Sequence, residues 1–152
     1  MSRQIAGDIP SAEWPRLWPQ VRLNEFRRIE FMTVDTLDLL NTMCRDAEFK
    51  RSWQHRINSD YRAGTTGLHP MGRAVDLVFF DIAPGDVPVD EQFHFAQQFP
   101  WGGIGIYPYW NAPGLHVDTR QGLDHLALWW QDRNKSYRAM ASYEEVFGVK
   151  LV

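Results

Sequence analysis

The segment that most constrains the fold is GRAVDLVFFD, residues 72–81, which is typical of a strand buried on both faces. Asp76 lies in the middle of its apolar run. An ionised carboxylate among such side chains costs several kcal/mol unless another group compensates its charge. We therefore expect either a metal cation or a cationic side chain such as Arg73 beside Asp76.

Length, composition and charge limit the kind of protein that this chain can be. Its 152 residues suffice for one domain with an apolar core, and 44% hydrophobic with 14% aromatic residues is typical of a globular protein. The lone cysteine, Cys44, excludes an internal disulfide framework. Because the net charge is −3, the chain has no basic field for nucleic acid, and we expect no nucleic-acid partner.

The hydrophobic patterns predict one small α+β domain over residues 1–152. Helical and strand patterns follow one another without the regular alternation of a doubly wound sheet. Residues 1–31, with three prolines and two tryptophans, are typical of an irregular segment that wraps the core. Helices are predicted over residues 33–49, 89–99 and 142–147, and strands over residues 55–59, 72–81, 104–107 and 114–120.

Histidines on either side of the central strand are candidates for a metal centre. His69 precedes Asp76 by seven residues, across a proline and a glycine that allow the chain to bend. His116 opens a second short strand. Two imidazoles and one carboxylate are a suitable ligand set for a catalytic zinc, which keeps a fourth position for water. The alternative is that Asp76 pairs with Arg73 and that the histidines serve only as hydrogen-bonding residues.

Four segments resemble one known family in their order along the chain. HPMGRAVD matches H-x-x-G-x-A-x-D, the signature of the M15 zinc peptidases, which are D-alanyl-D-alanine carboxypeptidases and murein endopeptidases. NSDYRAG is similar to the family's S-G-Y-R-S segment, and GGIGIYP with LHVDTR is similar to the G-x-G-x-Y-P and H-V-D segments of its murein-peptidase branch. The resemblance covers residues 59–120. It implies zinc ligands at His69, Asp76 and His116, and a hedgehog-like α+β fold whose central antiparallel sheet is flanked by helices.

Two positions depart from the family pattern. Gly67, preceded by Thr65 and Thr66, stands where the family commonly has serine, two residues before the first ligand histidine. Pro113 stands where many members carry the catalytic acid, three residues before the second ligand histidine. Because proline cannot exchange a proton, the usual base is absent or displaced.

Asp118 and Arg62 are the candidates for the remaining roles. Side chains at i and i+2 of a strand share a face, so Asp118 should point the same way as His116, with Cα atoms about 6.6–7 Å apart. Asp118 is therefore the leading candidate for the catalytic base. The alternatives are an outer partner that orients the imidazole and the ion-pair partner of Arg120. The resemblance places Arg62 against the substrate, where its planar fork suits a carboxylate. The alternative for Arg62 is a surface arginine.

Together these features predict a zinc-dependent metallopeptidase that hydrolyses an amide bond in peptidoglycan peptides, as an endopeptidase rather than a carboxypeptidase. The alternatives are a binding or structural module that has lost catalysis, and a non-haem iron oxygenase. No apolar run is long enough for a membrane span, and the N-terminus lacks the apolar stretch of a signal peptide. We expect a monomer that is made in the cytoplasm and acts at the cell wall, as a phage lysin, a virion component or a released bacterial protein.

Overall fold

A computed structural model of the chain, which describes residues 4–64, 67–81, 85–122 and 124–152, places six strands in one central sheet. The strands are β1 (Trp53–Ser59), β2 (Ala74–Asp81), β3 (Gly103–Tyr107), β4 (Gly114–Asp118), β5 (Ala127–Gln131) and β6 (Tyr137–Ala139). The α-helices of these residues are α1 (Trp14–Leu17), α2 (Val34–Arg51), α3 (Val89–Ala96) and α4 (Met140–Phe147). None of the helices in the described part of the chain is both long and apolar enough to cross a membrane.

The predicted α+β class is confirmed, whereas the central sheet, which was predicted to be antiparallel, is mixed. The strand order is β1-β2-β4-β3-β5-β6, and β3 pairs with β5 in parallel, with Gly105 opposite Trp129. The other pairs are antiparallel. β4 ends at Asp118, which lies beside Gly103, the first residue of β3. The connection that follows leads to the opposite edge of β3, where β5 starts at Ala127, again beside Gly103. The strand that starts there must run in the direction of β3, and the sheet is therefore mixed.

Most predicted elements are present, with differences at their ends. The helix predicted over residues 33–49 continues to Arg51 and stops at Ser52, which has a left-handed backbone with φ of 57°. The helix predicted to reach residue 99 ends at Ala96, before Pro100, which disfavours a helical conformation for the residue preceding it. Strands β5 and β6 were not predicted. Residues 4–31 form short 3₁₀ turns and α1, as expected of an irregular wrap, while residues 1–3 lie outside the described part.

The two faces of the sheet have different partners, which explains how a carboxylate fits into a buried strand. On one face Phe79 of β2 packs edge-on against Phe95 of α3, with ring centroids 5.8 Å apart. On the other face Asp76 of β2 and His116 of β4 are direct cross-strand partners. Because side chains alternate between faces along a strand, β2 supplies the apolar core with one set of residues and a polar group with the other. We call the face that carries Asp76 and His116 the site face.

A buried histidine on β1 should make the stability of the protein depend on pH. His55 is 5% exposed, and its Nε2 accepts a hydrogen bond from the backbone N–H of Arg22 at 3.3 Å. Burial, together with the charge of Arg22, lowers the pKa of His55 from 6.5 to about 4. Between these two pH values the unfolded chain binds a proton that the folded chain does not. The free energy of unfolding should therefore fall as the pH drops through this window, by up to about 3 kcal/mol.

Urea unfolding at pH 7 and pH 4.5 measures this effect. The variant His55→Gln keeps a hydrogen-bond acceptor but does not titrate. Its free energy of unfolding should therefore fall less between pH 7 and pH 4.5 than that of the wild type. The exposed His94 is the matched control, and His94→Gln should decline as the wild type does. An equal decline in the wild type and in His55→Gln would contradict the assignment.

Candidate metal centre

The three predicted ligands meet at one point on the site face. Asp76 and His116 come from β2 and β4, while His69 comes from a 3₁₀ turn, His69–Met71, that precedes β2. His116 Nδ1 lies 3.1 Å from Asp76 Oδ1, and His69 Nε2 lies 3.4 Å from the same oxygen. One ligand atom from each residue lies within 4.8 Å of the other two, and all three residues are buried.

The outer nitrogen of each imidazole faces a hydrogen-bond acceptor. His69 Nδ1 lies 2.7 Å from the backbone carbonyl oxygen of Asp60, and His116 Nε2 lies 2.8 Å from Oδ2 of Asp118. Both partners are acceptors, so they favour the tautomer in which each outer nitrogen carries the proton and donates. In a neutral ring the inner nitrogen then presents a lone pair toward Asp76.

This arrangement can hold a metal ion. Two lone pairs and a carboxylate that face one another are favourable only with a proton or a cation between them. An outer acceptor on each histidine is the usual surrounding of metal-ligating imidazoles. The donor set of two histidines and one carboxylate suits zinc and also iron(II). The prediction that His69, Asp76 and His116 form a group able to hold a metal ion is therefore confirmed, whereas the identity of the metal stays a prediction.

The charges within the group favour an ionised carboxylate. Burial alone would raise the pKa of Asp76, but hydrogen bonds from His116 and His69 outweigh burial and lower this pKa to about 2. Burial alone would lower the pKa of His116, but Asp118 and Asp76 outweigh burial and raise it. The positive charge that Asp76 requires is thus supplied on the imidazole side, by a proton or by an ion.

The two arginines considered from the sequence lie in different places. Arg73 is not the partner of Asp76, because its Nη1 lies 3.0 Å from Asp35 Oδ2 and donates to the carbonyl of Thr119 at 3.3 Å. Arg62 does lie beside the group, with Nη2 3.9 Å from Asp76 Oδ2 and half of its side chain exposed. Arg62 therefore lies at the rim of the centre, and its contact with a substrate stays a prediction.

Asp118 shares the face of His116, as predicted, but it is fully enclosed. Its Oδ1 accepts from the backbone N–H and Nε of Arg120, and its Oδ2 accepts from His116 Nε2 and from Arg120 Nη2 at 2.7 Å. Burial alone would raise the pKa of Asp118, but hydrogen bonds from Arg120 and His116 lower it to about 2. A general base is most effective when its pKa is near the working pH. These contacts suit an orienting residue, and the base role stays a prediction.

Two glycines on β3 make room for this arrangement. Gly103 and Gly105 pair with Asp118 and His116 across the β3–β4 ladder. A Cβ atom on Gly103 would lie 2.6 Å from the Asp118 carboxylate. A Cβ atom on Gly105 would lie 2.6 Å from the ring of Trp129, which packs against His116 with centroids 5.0 Å apart. The G-x-G spacing places both glycines on one face of a strand, and it is a sequence signal from which this close approach could have been predicted.

A cavity of about 440 Å³ opens over the two imidazoles. Its wall holds donors and aromatic rings, and among the described residues that line it there is no carboxylate. Gly67 lines the cavity, while Thr65 and Thr66 lie outside the described residues. Pro113 has a structural contact, because its carbonyl accepts a hydrogen bond from Gln92 at 3.0 Å. Besides Gly67, the lining residues are Arg62, Leu68, His69, Tyr107, His116, Arg120, Trp129 and Tyr137.

Sequence reasoning missed several residues of this site. Trp129 and Tyr137 come from β5 and β6, whose pairing brings them to the site face from beyond the matched motifs. Asp60 contributes a backbone carbonyl, for which no residue type is diagnostic. The double hydrogen bond between Arg120 and Asp118 was considered only as an alternative to a catalytic role, whereas the structure shows it together with the contact to His116.

Comparisons of the chain with protein family models, with curated proteins and with solved structures gave no match. The resemblance to zinc peptidases therefore rests on the motif residues alone, and the hedgehog-like fold stays a prediction. The chemistry of the site is inferred from its own geometry.

Proposed function

We propose that the protein is a zinc-dependent metallopeptidase that hydrolyses an amide bond in peptidoglycan peptides, as an endopeptidase rather than a carboxypeptidase. The observation that carries this proposal is the convergence of His69, Asp76 and His116, with acceptors on the outer nitrogens. Zinc, when bound, would supply Lewis-acid chemistry and lower the pKa of a water molecule to about 7. The substrate class comes from the motif resemblance over residues 59–120.

The chain's own residues would bind and orient the substrate. Arg62 at the rim offers a planar fork to a carboxylate or carbonyl oxygen. Tyr107 and Tyr137 line the same cavity, and their hydroxyl groups can donate to an oxygen that gains negative charge during the reaction. Asp118 would keep the lone pair of His116 directed at the centre.

Mass spectrometry of muropeptides tests the proposal. Purified cell-wall sacculi are incubated with zinc-loaded protein, and we expect products with a new amino end and a new carboxyl end at one amide bond. Protein treated with a chelator should release none, and zinc added back should restore the products. Intact peptides after incubation with zinc-loaded protein would contradict the proposal.

The second candidate function is a peptidoglycan-binding or structural module that has lost catalysis. Two observations favour it: Pro113 in the position of the usual acid, and a cavity whose described lining residues include no carboxylate. Such a module would bind zinc and sacculi but release no peptide at any zinc concentration. Metal analysis of the purified protein tests the iron alternative in the same preparation.

Replacing Arg62 by alanine should weaken catalysis without removing the metal. A charge-assisted hydrogen bond contributes about 1.5–3 kcal/mol, so kcat/KM for peptidoglycan fragments should fall at least about tenfold. Zinc content should stay unchanged because Arg62 is not one of the three grouped donors. Arg45→Ala, on the exposed side of α2, is the control. Loss of zinc in Arg62→Ala, or unchanged kcat/KM, would contradict the role.

A further inference from the structure

A second cavity adjoins the one over the imidazoles. Its volume is about 380 Å³, and the two cavities share Arg62, Tyr107 and Tyr137. Asp76 also lines the second cavity. A ligand that occupies the metal centre can therefore extend past Arg62 toward the hairpin that joins β5 to β6.

Three cationic side chains and two carboxylates, those of Asp76 and Asp132, line the second cavity. Arg62 lines one part, while Arg133 and Lys135 come from the β5–β6 hairpin. The guanidinium of Arg133 lies over the ring of Tyr109, 4.6 Å from its centroid, so its side chain is held in place. Three cationic side chains along one cavity favour an anionic group of the ligand.

The carboxylate of the hairpin, Asp132, has a cationic partner of its own in Arg138, which is not among the described residues that line the cavity. Asp132 Oδ1 accepts hydrogen bonds from the backbone N–H groups of Asn134 and Ser136, both at 2.9 Å. Its Oδ2 accepts from Arg138 Nε at 2.8 Å. Lys135 follows with φ of 61°, a left-handed conformation in which glycine or asparagine is more common. The turn therefore has a defined shape that brings Arg133 and Lys135 to the cavity.

Aromatic rings form the rest of the wall. Tyr107 and Trp110 stack with centroids 4.3 Å apart and an interplanar angle of 19°, and both line the cavity. Flat apolar surface beside fixed cations suits a peptide, which offers both a chain with apolar groups and a carboxylate. The planar fork of arginine matches a carboxylate in particular.

We propose that the second cavity is a carboxylate subsite, so that the preferred ligands are acidic peptides with a free carboxylate next to the bond held at the metal centre. Arg133 and Lys135 bind this carboxylate from the hairpin side, and Arg62 lies between the subsite and the centre. This inference deepens the proposed peptidase function, and it rests on that function where it treats the bound peptide as a substrate. The binding preference can be measured independently of catalysis.

Isothermal titration calorimetry tests the subsite. The probe is the peptide L-Ala-γ-D-Glu-L-Lys-D-Ala, compared with one form amidated at the glutamyl α-carboxylate and one amidated at the C-terminus. Binding is measured with the purified zinc-loaded protein and, to exclude turnover, after removal of zinc. At least one amidated form should bind about fivefold more weakly, which is the upper range for an exposed ion pair. The form that weakens identifies which carboxylate occupies the subsite.

The double variant Arg133→Gln with Lys135→Gln should lose the preference for the free acid. Its matched control is Arg16→Gln with Lys50→Gln, because these exposed cations line neither cavity and should leave the preference unchanged. Equal binding of all three peptides to the wild type would overturn the subsite. So would a preference that persists in the Arg133 and Lys135 double variant.

The subsite and the peptidase function can fail separately. If zinc-loaded protein cleaves none of the peptides but the binding preference depends on Arg133 and Lys135, the peptidase function is overturned and the carboxylate site is supported. If the peptides are cleaved with the same kcat/KM for the free acid and both amidated forms, the peptidase function is supported and the subsite is overturned.

Discussion

Replacing His116 by alanine is expected to lower zinc affinity by more than about 100-fold, because even the loss of an outer partner of a ligand costs about 10–100-fold. Zinc at about 100 times its Kd should stabilise the wild-type protein by about 2.7 kcal/mol. The variant should lose this stabilisation and all zinc-dependent turnover. Calorimetric zinc titration and thermal unfolding, each with and without zinc, measure the two effects.

The matched control for this variant is His125→Ala, since His125 is highly exposed and contacts Asp124 instead of the centre. It should bind zinc as the wild type does. Wild-type zinc stoichiometry and affinity in His116→Ala would show that the metal lies elsewhere. That result would remove the main support for the proposed function.

Replacing Asp118 by asparagine should lower zinc affinity by about 10–100-fold while the chain stays folded. Each oxygen of Asp118 accepts from two donors, so the amide NH₂ must oppose a donor in either orientation. In place of Oδ1 it would face two fixed donors of Arg120. In place of Oδ2 it would face one fixed donor, Arg120 Nη2, and His116, which can move its proton to Nδ1. The second orientation is favoured, and it takes the lone pair away from the metal.

Zinc titration of Asp118→Asn separates the orienting role from the base role. A base acts on the reacting water, so its loss would leave zinc affinity unchanged and lower kcat by at least about 100-fold. An orienting residue would lower zinc affinity, and excess zinc would restore much of the rate. Asp124→Asn is the control because its side chain is almost fully exposed. Full affinity and full rate in Asp118→Asn would contradict both roles.

The parts of the fold that the sequence predicted are those with local patterns. α2 repeats its apolar residues at helical spacing, and β2 is an apolar run that only Asp76 interrupts before the strand ends at Asp81. The parallel pairing of β3 with β5 depends on where a connection returns to the sheet, and this is not encoded locally. β6 has three exposed residues and no alternating pattern, so it forms only because β5 is beside it.

The candidate site shows the same division between local and non-local information. His69, Asp76 and His116 were candidates from residue type and spacing, because metal ligands are chemically restricted, and the motif resemblance implied that they are the ligands. The enclosure of Asp118 was not predicted, because it depends on Arg120 and on the missing side chain of Gly103 across the sheet. Cross-strand neighbours are set by register, which a single strand does not reveal.

The pairing of Asp76 with His116 also gives the metal a consequence for folding. These two ligands are direct partners in the antiparallel pairing of β2 with β4, so a bound ion would connect the two strands at one cross-strand residue pair. A slip of β2 by one residue would turn Asp76 to the apolar face and separate the donors. Zinc would therefore stabilise the native alignment of β2 with β4, but no alignment that is shifted by one residue. In its presence, misaligned chains would be depleted in favour of the native pairing, whereas a chain folding without the ion must select that pairing through side-chain packing alone.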